Sequence, residues 1–209
     1  MKLSKIEFIV VNNPIRNFIQ DKIEFRRIRK MVNMPENLNV LEIGCGTGNG
    51  SKLIKKYFKP KKITSIDLDE KMIEIANKKN KDKIIKFQQA DAEKLPFKNH
   101  EFDAVFEFTV LHHVTDWEKA LKEIFRILKP GGCFVIEDLS IETFKTFFGY
   151  FYRKFSVHPY ETMYRHDQLI EGLIKTGFTV LKAKKYNPLG VFKYFNILAV
   201  RAHNDKLAL

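Results

Sequence analysis

The stretch that decides the fold is VLEIGCGTGNG, Val40 to Gly50. An apolar run ends in Glu42, and glycines at 44, 46 and 48 then alternate with Cys45 and Thr47. Asn39–Ile43 reads as a buried strand and Ser51–Phe58 as a helix. Between them the glycines let the backbone turn tightly with no Cβ in the way. The free N–H groups of a helix that starts near Asn49 can face an acidic part of a ligand. The spacing is not the G-x-G-x-x-G of a dinucleotide turn, because the last glycine comes one residue early. Nor is there a G-x-x-x-x-G-K-[ST] phosphate loop. Glu42 would repel a pyrophosphate, whereas it suits a ligand that carries an ammonium or a sulfonium.

Outward from this turn, strand and helix patterns alternate. Strands are predicted at Lys62–Ile66, Ile84–Gln88, Asp103–Phe108 and Cys133–Glu137, with helices at Glu70–Lys79 and from Thr115 onward. Thr115-Asp116-Trp117-Glu118 has the spacing of a capping box. Lys129-Pro130-Gly131-Gly132 stops that helix. A helix at Asp167–Thr176 and strands at Phe178–Lys184 and Phe195–Arg201 close the chain. The last two strands are joined too briefly for a helical crossover, so they should pair antiparallel. The expected architecture is α/β: a doubly wound, seven-stranded, mainly parallel sheet with an antiparallel last strand and helices on both faces. Asn13-Pro14 reads as a helix start, cap followed by first turn. Ile15, Phe18, Ile19, Ile23, Ile28 and Met31 would form its apolar side.

The chain has 209 residues, 44% of them apolar, which suits one domain. Residues 1–36 are expected to form an N-terminal helical cap and 37–138 the core. Residues 139–166 would form an aromatic-rich cover, and 167–209 the closing helix and strand pair. Two cysteines, Cys45 and Cys133, lie in no spaced cluster with histidine, so neither a zinc site nor a disulfide framework is expected. The apolar run near the N-terminus is short and no small-residue cleavage site follows, so a cytoplasmic protein is expected. The net charge of +12 is compatible with nucleic acid or an anionic membrane surface. Its lysines are spread over many segments and interleaved with acids, which favours composition bias over a dedicated nucleic-acid face.

At this point the sequence resembles a family. E-x-G-x-G-x-G at the end of a first strand is similar to the signature of class I S-adenosylmethionine-dependent methyltransferases. Ile66-Asp67-Leu68-Asp69 resembles that family's acid after the second strand. Asp91-Ala92-Glu93-Lys94-Leu95-Pro96-Phe97 resembles its loop after the third, and Phe102-Asp103-Ala104-Val105 with Val110-Leu111-His112-His113 its fourth strand and loop. Leu128-Lys129-Pro130-Gly131-Gly132 resembles the turn before its fifth. The likeness covers about residues 38 to 138 and is nearest to the small-molecule branch that includes ubiquinone and menaquinone methyltransferases. It implies a Rossmann-like fold, S-adenosylmethionine as cofactor and S-adenosylhomocysteine as product.

On that reading the backbone of Gly44, Cys45, Gly46 and Gly48 passes beside the methionine part of the cofactor, with Glu42 behind it. Asp67 follows Gly48 by 19 residues, about the reach at which an acid meets ribose hydroxyls in nucleotide-binding sheets. Leu68 and Met72 would cover adenine. Asp91 would accept from its amino group, with the Ala92 N–H beside a ring nitrogen. Phe108 would border the methyl group. Cys45 and Cys133 read as fillers.

His112 or His113 would act as a general base, with Glu107 and Glu137 as lesser candidates and His158 and His166 weaker still. The alternative for the histidines is packing or capping in the loop. Nine aromatic residues between Phe144 and Tyr164 would form a pocket wall, a membrane contact or plain core. Arg153, Lys154 and Arg165 are candidates to pair with an acidic group on the acceptor. The expected substrate is a small-molecule acceptor methylated at O, N or C. The alternatives are an RNA or protein methyltransferase, or a catalytically silent S-adenosylmethionine-binding partner protein. The run Phe106-Glu107-Phe108-Thr109 differs from the N/D-P-P-Y type that serves planar base amines.

Overall fold

The computed structural model describes residues 13–146, 149–150, 153, 159–188 and 192–202. Its centre is a seven-stranded sheet in the order β3-β2-β1-β4-β5-β7-β6. The strands are β1 (Asn39–Ile43), β2 (Lys62–Asp67), β3 (Ile85–Gln89), β4 (Phe102–Phe108), β5 (Leu128–Leu139), β6 (Phe178–Tyr186) and β7 (Tyr194–Arg201). The first five are parallel. β7 runs antiparallel to both β5 and β6. The short connection expected between the last two strands therefore has its expected consequence.

Helices α1 (Pro14–Ile19), α2 (Phe25–Met31), α3 (Asn49–Phe58), α4 (Glu70–Lys79), α5 (Trp117–Ile127) and α6 (His166–Thr176) surround the sheet. Successive residues of a strand point to opposite faces, and β1 shows it. Leu41 and Ile43 belong to one core with α5 and α6, and Val40 to another with α2, α3 and α4. The strand order reverses between β1 and β4, which opens a crevice at their carboxyl ends.

Two local expectations are corrected. The helix after Thr115 is capped by Asp116, whose Oδ1 accepts from the Lys119 N–H at 2.9 Å. Thr115 precedes the cap: of two adjacent residues able to cap, the carboxylate is the one within reach. The N-terminal helix is capped by Asn13, as its sequence signals. Its apolar side is not one buried stripe. Ile15, Phe18, Ile19 and Ile23 are exposed while Phe25, Ile28 and Met31 are buried. A π-helical turn, Gln20–Glu24, joins α1 to α2 and shifts the phase of the helix between the two halves.

Candidate active site

A cavity of about 930 Å³ opens at the carboxyl ends of β1, β2, β4 and β5, and α1 with the π-helical turn roofs it. Its floor is the glycine turn. Gly44, Gly46 and Gly48 all have positive φ, at 69°, 50° and 85°, a region that side chains with a Cβ rarely enter. At Gly44 a Cβ would come within 2.2 Å of Val110, so the turn must approach the loop after β4 closely. At Gly46 a Cβ would meet no atom within 4 Å. Gly46 lines the cavity, so its open side is bare backbone facing space for a ligand.

Two acids hold this turn. Asp67, the last residue of β2, accepts from the Gly46 N–H at 2.8 Å and from the Asp69 N–H at 2.9 Å. Burial raises its pKa, against the pull of those two donors. Asp69 caps α4, its Oδ1 accepting from the Lys71 N–H at 3.1 Å. Glu42, in β1, is buried. Its Oε2 accepts from Ser65 Oγ at 2.8 Å and from Ser51 Oγ. Burial outweighs both hydroxyls and pushes Glu42 up to about 7. Cys45 is buried and its thiol is raised well above the usual range by that burial, which suits a filler and not a nucleophile. Cys133 is likewise pushed up to about 12 by burial.

The other residues singled out in the sequence fall around the same cavity. Leu68, 47% exposed, stands at its mouth, and Met72 is buried below. Asp91 and Ala92 follow β3, with the Asp91 Oδ1 accepting from the Glu93 N–H at 2.9 Å. Phe108 ends β4 and forms part of the wall. His112 and His113 stack on each other, ring centroids 4.1 Å apart, in the turn after β4. Both reach the lining.

His112 is buried and its Nδ1 pairs with Asp138. Asp138 is fully buried at the end of β5. It also accepts from the His112 N–H at 2.9 Å, from the Leu139 N–H at 2.7 Å and from the Tyr164 hydroxyl. Sequence reasoning missed Asp138, although an acid beside Glu137 at the end of a strand run was a visible signal. Tyr164 is buried in the core.

Glu107 is buried, with its Oε2 accepting from the Val110 and Leu111 N–H groups at 3.1 and 3.3 Å. That places it as a cap of the loop. Burial raises its pKa well above the carboxylate range.

Two of the expected basic residues have other partners. Arg165 pairs with Asp167 at 3.0 Å on the surface, and Arg153 stacks over Tyr160. Lys154 and His158 lie outside the described residues, as do Phe147, Phe148, Phe151, Tyr152 and Phe155. His166 packs edge-on against Phe195, and burial lowers its pKa. Two guanidiniums of the described residues line the cavity: Arg16 of α1, paired with Glu24 at 2.6 Å, and Arg27 of α2, which lies over the Tyr186 ring at 4.5 Å. Among the described residues, no helix is long and apolar enough to cross a membrane.

The fold is one shared by solved methyltransferases. The profile of a family described as a methyltransferase domain matches residues 41–136. The core of this chain, just under half of its length, is therefore similar to a methyltransferase domain. A demethylmenaquinone methyltransferase of Staphylococcus aureus is 34% identical over 137 residues, which are 65% of this chain and 57% of that protein. The match thus spans little more than half the length of this curated relative.

A methyltransferase of Haloferax volcanii, solved in complex with the Trm112 methyltransferase activator, superposes with a TM-score of 0.80 at 17% identity. It covers 97% of this chain and 100% of its own. A SAM-dependent methyltransferase from Aquifex aeolicus gives 0.74 at 20% identity, covering 96% and 100%. At those identities the solved structures speak for the fold alone.

Proposed function

We propose that the chain transfers the methyl group of S-adenosylmethionine to an O, N or C atom of a small, partly apolar acceptor. The observation that carries this reading is one continuous cavity. It runs from the bare Gly46 backbone and the Asp67 carboxylate to a chamber lined by Phe108, Phe144 and Leu139. The residues present suit the cofactor. Gly46 leaves open space where any side chain would intrude. Glu42 and Asp67 give carboxylates to a ligand that carries ammonium and hydroxyl groups. Met72 and Leu68 offer apolar surface beside them. When bound, the cofactor supplies a methyl group on a sulfonium, so the hard chemistry is its own.

The chain's residues hold and shield. Asp67 is placed to accept from ribose hydroxyls, and the turn from Gly44 through Cys45 to Gly48 to cradle the methionine part. Asp91 and Ala92, which line the cavity, would meet the adenine. Phe108 and Phe144 keep water from the reacting atoms, and alignment of acceptor and methyl does the rest. Where the acceptor must lose a proton, His112 takes it. The Asp138 carboxylate beside Nδ1 favours the tautomer with its proton there, which would leave Nε2 to accept. His113 packs beside it, ring centroids 4.1 Å apart and planes tilted by 36°. The Staphylococcus aureus relative is named for demethylmenaquinone, and that name supports an acceptor with an apolar ring.

The test is a calorimetric titration of the purified chain with S-adenosylmethionine and S-adenosylhomocysteine. It is followed by an acceptor screen with labelled methyl. Binding in the micromolar range is expected for both ligands. If neither binds, the reading fails.

A further inference from the structure

The cavity extends from the glycine turn to the far side of the sheet, and the charges there do not balance. Arg27 of α2 lines it, half-buried, with its guanidinium 4.5 Å from the centre of the Tyr186 ring. Among the described residues it pairs with no carboxylate. Lys182 Nζ donates to the Met31 carbonyl at 2.8 Å and ties the end of α2 to β6. A guanidinium over an aromatic face is steadied there and presents a planar fork that matches a carboxylate.

The neighbouring charges cancel. Arg16 pairs with Glu24 at 2.6 Å. Glu137 accepts from Asn196 Nδ2 at 2.9 Å. Burial first, and then the Glu24 carboxylate with which it shares a hydrogen bond, raise Glu137 well above the carboxylate range. A carboxyl raised in this way keeps its proton and donates it. Glu24 thus receives Arg16 from one side and Glu137 from the other. Among the described residues around this end of the cavity, the charge of Arg27 is left unbalanced.

The other acids of the lining, Glu42, Asp67, Asp69, Asp91 and Glu93, lie at or just after the ends of β1, β2 and β3. From β1 the sheet runs through β4, β5 and β7 to β6, four steps of ~4.8 Å and so roughly 19 Å. Tyr186 closes β6 at the same edge of the sheet as the ends of β1 and β4. The methionine carboxylate of a cofactor held at the glycine turn would lie well short of Arg27. Phe108, at the end of β4, is three steps away, or ~14 Å. Between them Ile23, Leu139 and Phe192 line the cavity and fit an apolar body.

We propose that Arg27, set over Tyr186, is an anion-recognition residue of this cavity, and that the acceptor is an apolar molecule with a carboxylate at the end remote from the atom that is methylated. This rests on the methyltransferase reading and names its substrate class. Arg27 acts here as a specificity residue, since nothing requires it to touch the methyl group.

The experiment uses the full chain, with and without S-adenosylhomocysteine, and three probes on one ring system. These are 6-hydroxy-2-naphthoate, 6-hydroxy-2-naphthamide and 6-(aminomethyl)-2-naphthol at neutral pH. Each presents a hydroxyl at one end and differs at the other. The carboxylate is expected to bind at least ~tenfold more tightly than the amide, and the ammonium most weakly. Arg27→Met should lower carboxylate affinity at least ~tenfold and amide affinity no more than ~twofold. Its S-adenosylhomocysteine affinity should stay within a factor of about two, which also reports an intact fold. Arg27→Gln should behave in the same way. A purely structural role for Arg27 would weaken all three probes alike. A carboxylate that binds the wild type no more tightly than the amide overturns the proposal. So does the failure of every probe to bind, or a preference that survives in either variant. Weakened S-adenosylhomocysteine binding in Arg27→Met, with 5′-methylthioadenosine unaffected, would assign Arg27 to the cofactor's own carboxylate and overturn it too. Failure of the wild type to bind S-adenosylhomocysteine would instead strike the methyltransferase reading while the probe preference is still read, so the two failures are distinguishable.

Discussion

The Asp67 carboxylate accepts a hydrogen bond from the Gly46 N–H at 2.8 Å, across the gap between the ends of β2 and β1. One acid therefore shapes the glycine turn and faces the cavity beside it. Removing it should cost twice, once in ligand contacts and once in the order of the turn. Asp67→Ala is expected to weaken S-adenosylhomocysteine binding at least ~30-fold, or about 2 kcal/mol. Asp67→Asn keeps an oxygen for the Gly46 N–H and should lose less. Calorimetry on both variants checks the order; equal affinities for wild type and Asp67→Ala would remove Asp67 from the site.

Glu42 couples the same turn to pH. Its pKa is about 7 in the folded protein against an ordinary 4.5, because burial favours the neutral form. The folded state then binds more protons than the unfolded one between those values. Stability from this group is complete below pH 4.5, falls by roughly 3 kcal/mol as pH rises to about 7, and levels off above. A ligand bearing an ammonium or sulfonium favours the carboxylate, so its binding should release part of a proton near neutral pH. Titrations in buffers of different ionisation enthalpy will show this as a buffer-dependent heat. Glu42→Gln should remove the buffer dependence.

A third prediction separates fold from function. Arg201, in β7, donates from Nη1 to the carbonyls of Phe125 at 2.5 Å, Arg126 at 3.2 Å and Leu128 at 2.9 Å. It also stacks over the Phe125 ring at 4.4 Å. These carbonyls belong to the last turn of α5 and the residue after it, which have no partners within the helix. Arg201→Met should destabilise the chain by about 2–3 kcal/mol, since it takes a charged donor from buried carbonyls, of which that of Arg126 keeps a second donor, the His100 N–H at 3.1 Å. Denaturant unfolding measures the loss. Affinity for S-adenosylhomocysteine, bound on the far side of the sheet's strand ends, should stay within a factor of about two.

The turn, its two acids and the sheet topology were legible because each is written in a few neighbouring residues. Glu42, Gly46 and Asp67 carry their meaning in local spacing. The roof of the cavity was not legible in this way. Arg16, Glu24, Glu137 and Asn196 come from three distant parts of the chain, and only the β5–β7 register and the π-helical turn bring them together. That turn also misled the periodicity of the N-terminal helix. Ile15, Phe18, Ile19 and Ile23 repeat as a buried face would, yet they lie exposed, with Ile19 and Ile23 lining the cavity mouth. Arg165 looked available for an anion until the fold gave it Asp167. The His112 pair was half legible: the histidine stood out, and its partner Asp138 required the sheet.

That pair carries the last prediction. Asp138 is enclosed by four donors, His112 Nδ1, the His112 and Leu139 backbone N–H groups and the Tyr164 hydroxyl. A proton on Nδ1, facing that carboxylate, would leave Nε2 as the nitrogen that accepts. If His112 is the base, His112→Ala should lower kcat by about 10²–10³-fold on any acceptor that supports turnover, with cofactor affinity little changed. Asp138→Asn offers an amide N–H to Nδ1 and so favours the opposite tautomer. It should lower kcat by a similar factor while the ring stays in place. Tyr164→Phe removes a donor to Asp138 without touching the imidazole, so it should cost stability of about 1 kcal/mol and leave kcat within a few-fold. Long-range proton–nitrogen NMR of the imidazole reports the tautomer directly, independent of any acceptor. A proton found on Nε2 in the wild type, or undiminished turnover in His112→Ala, would show that methyl transfer proceeds by alignment alone.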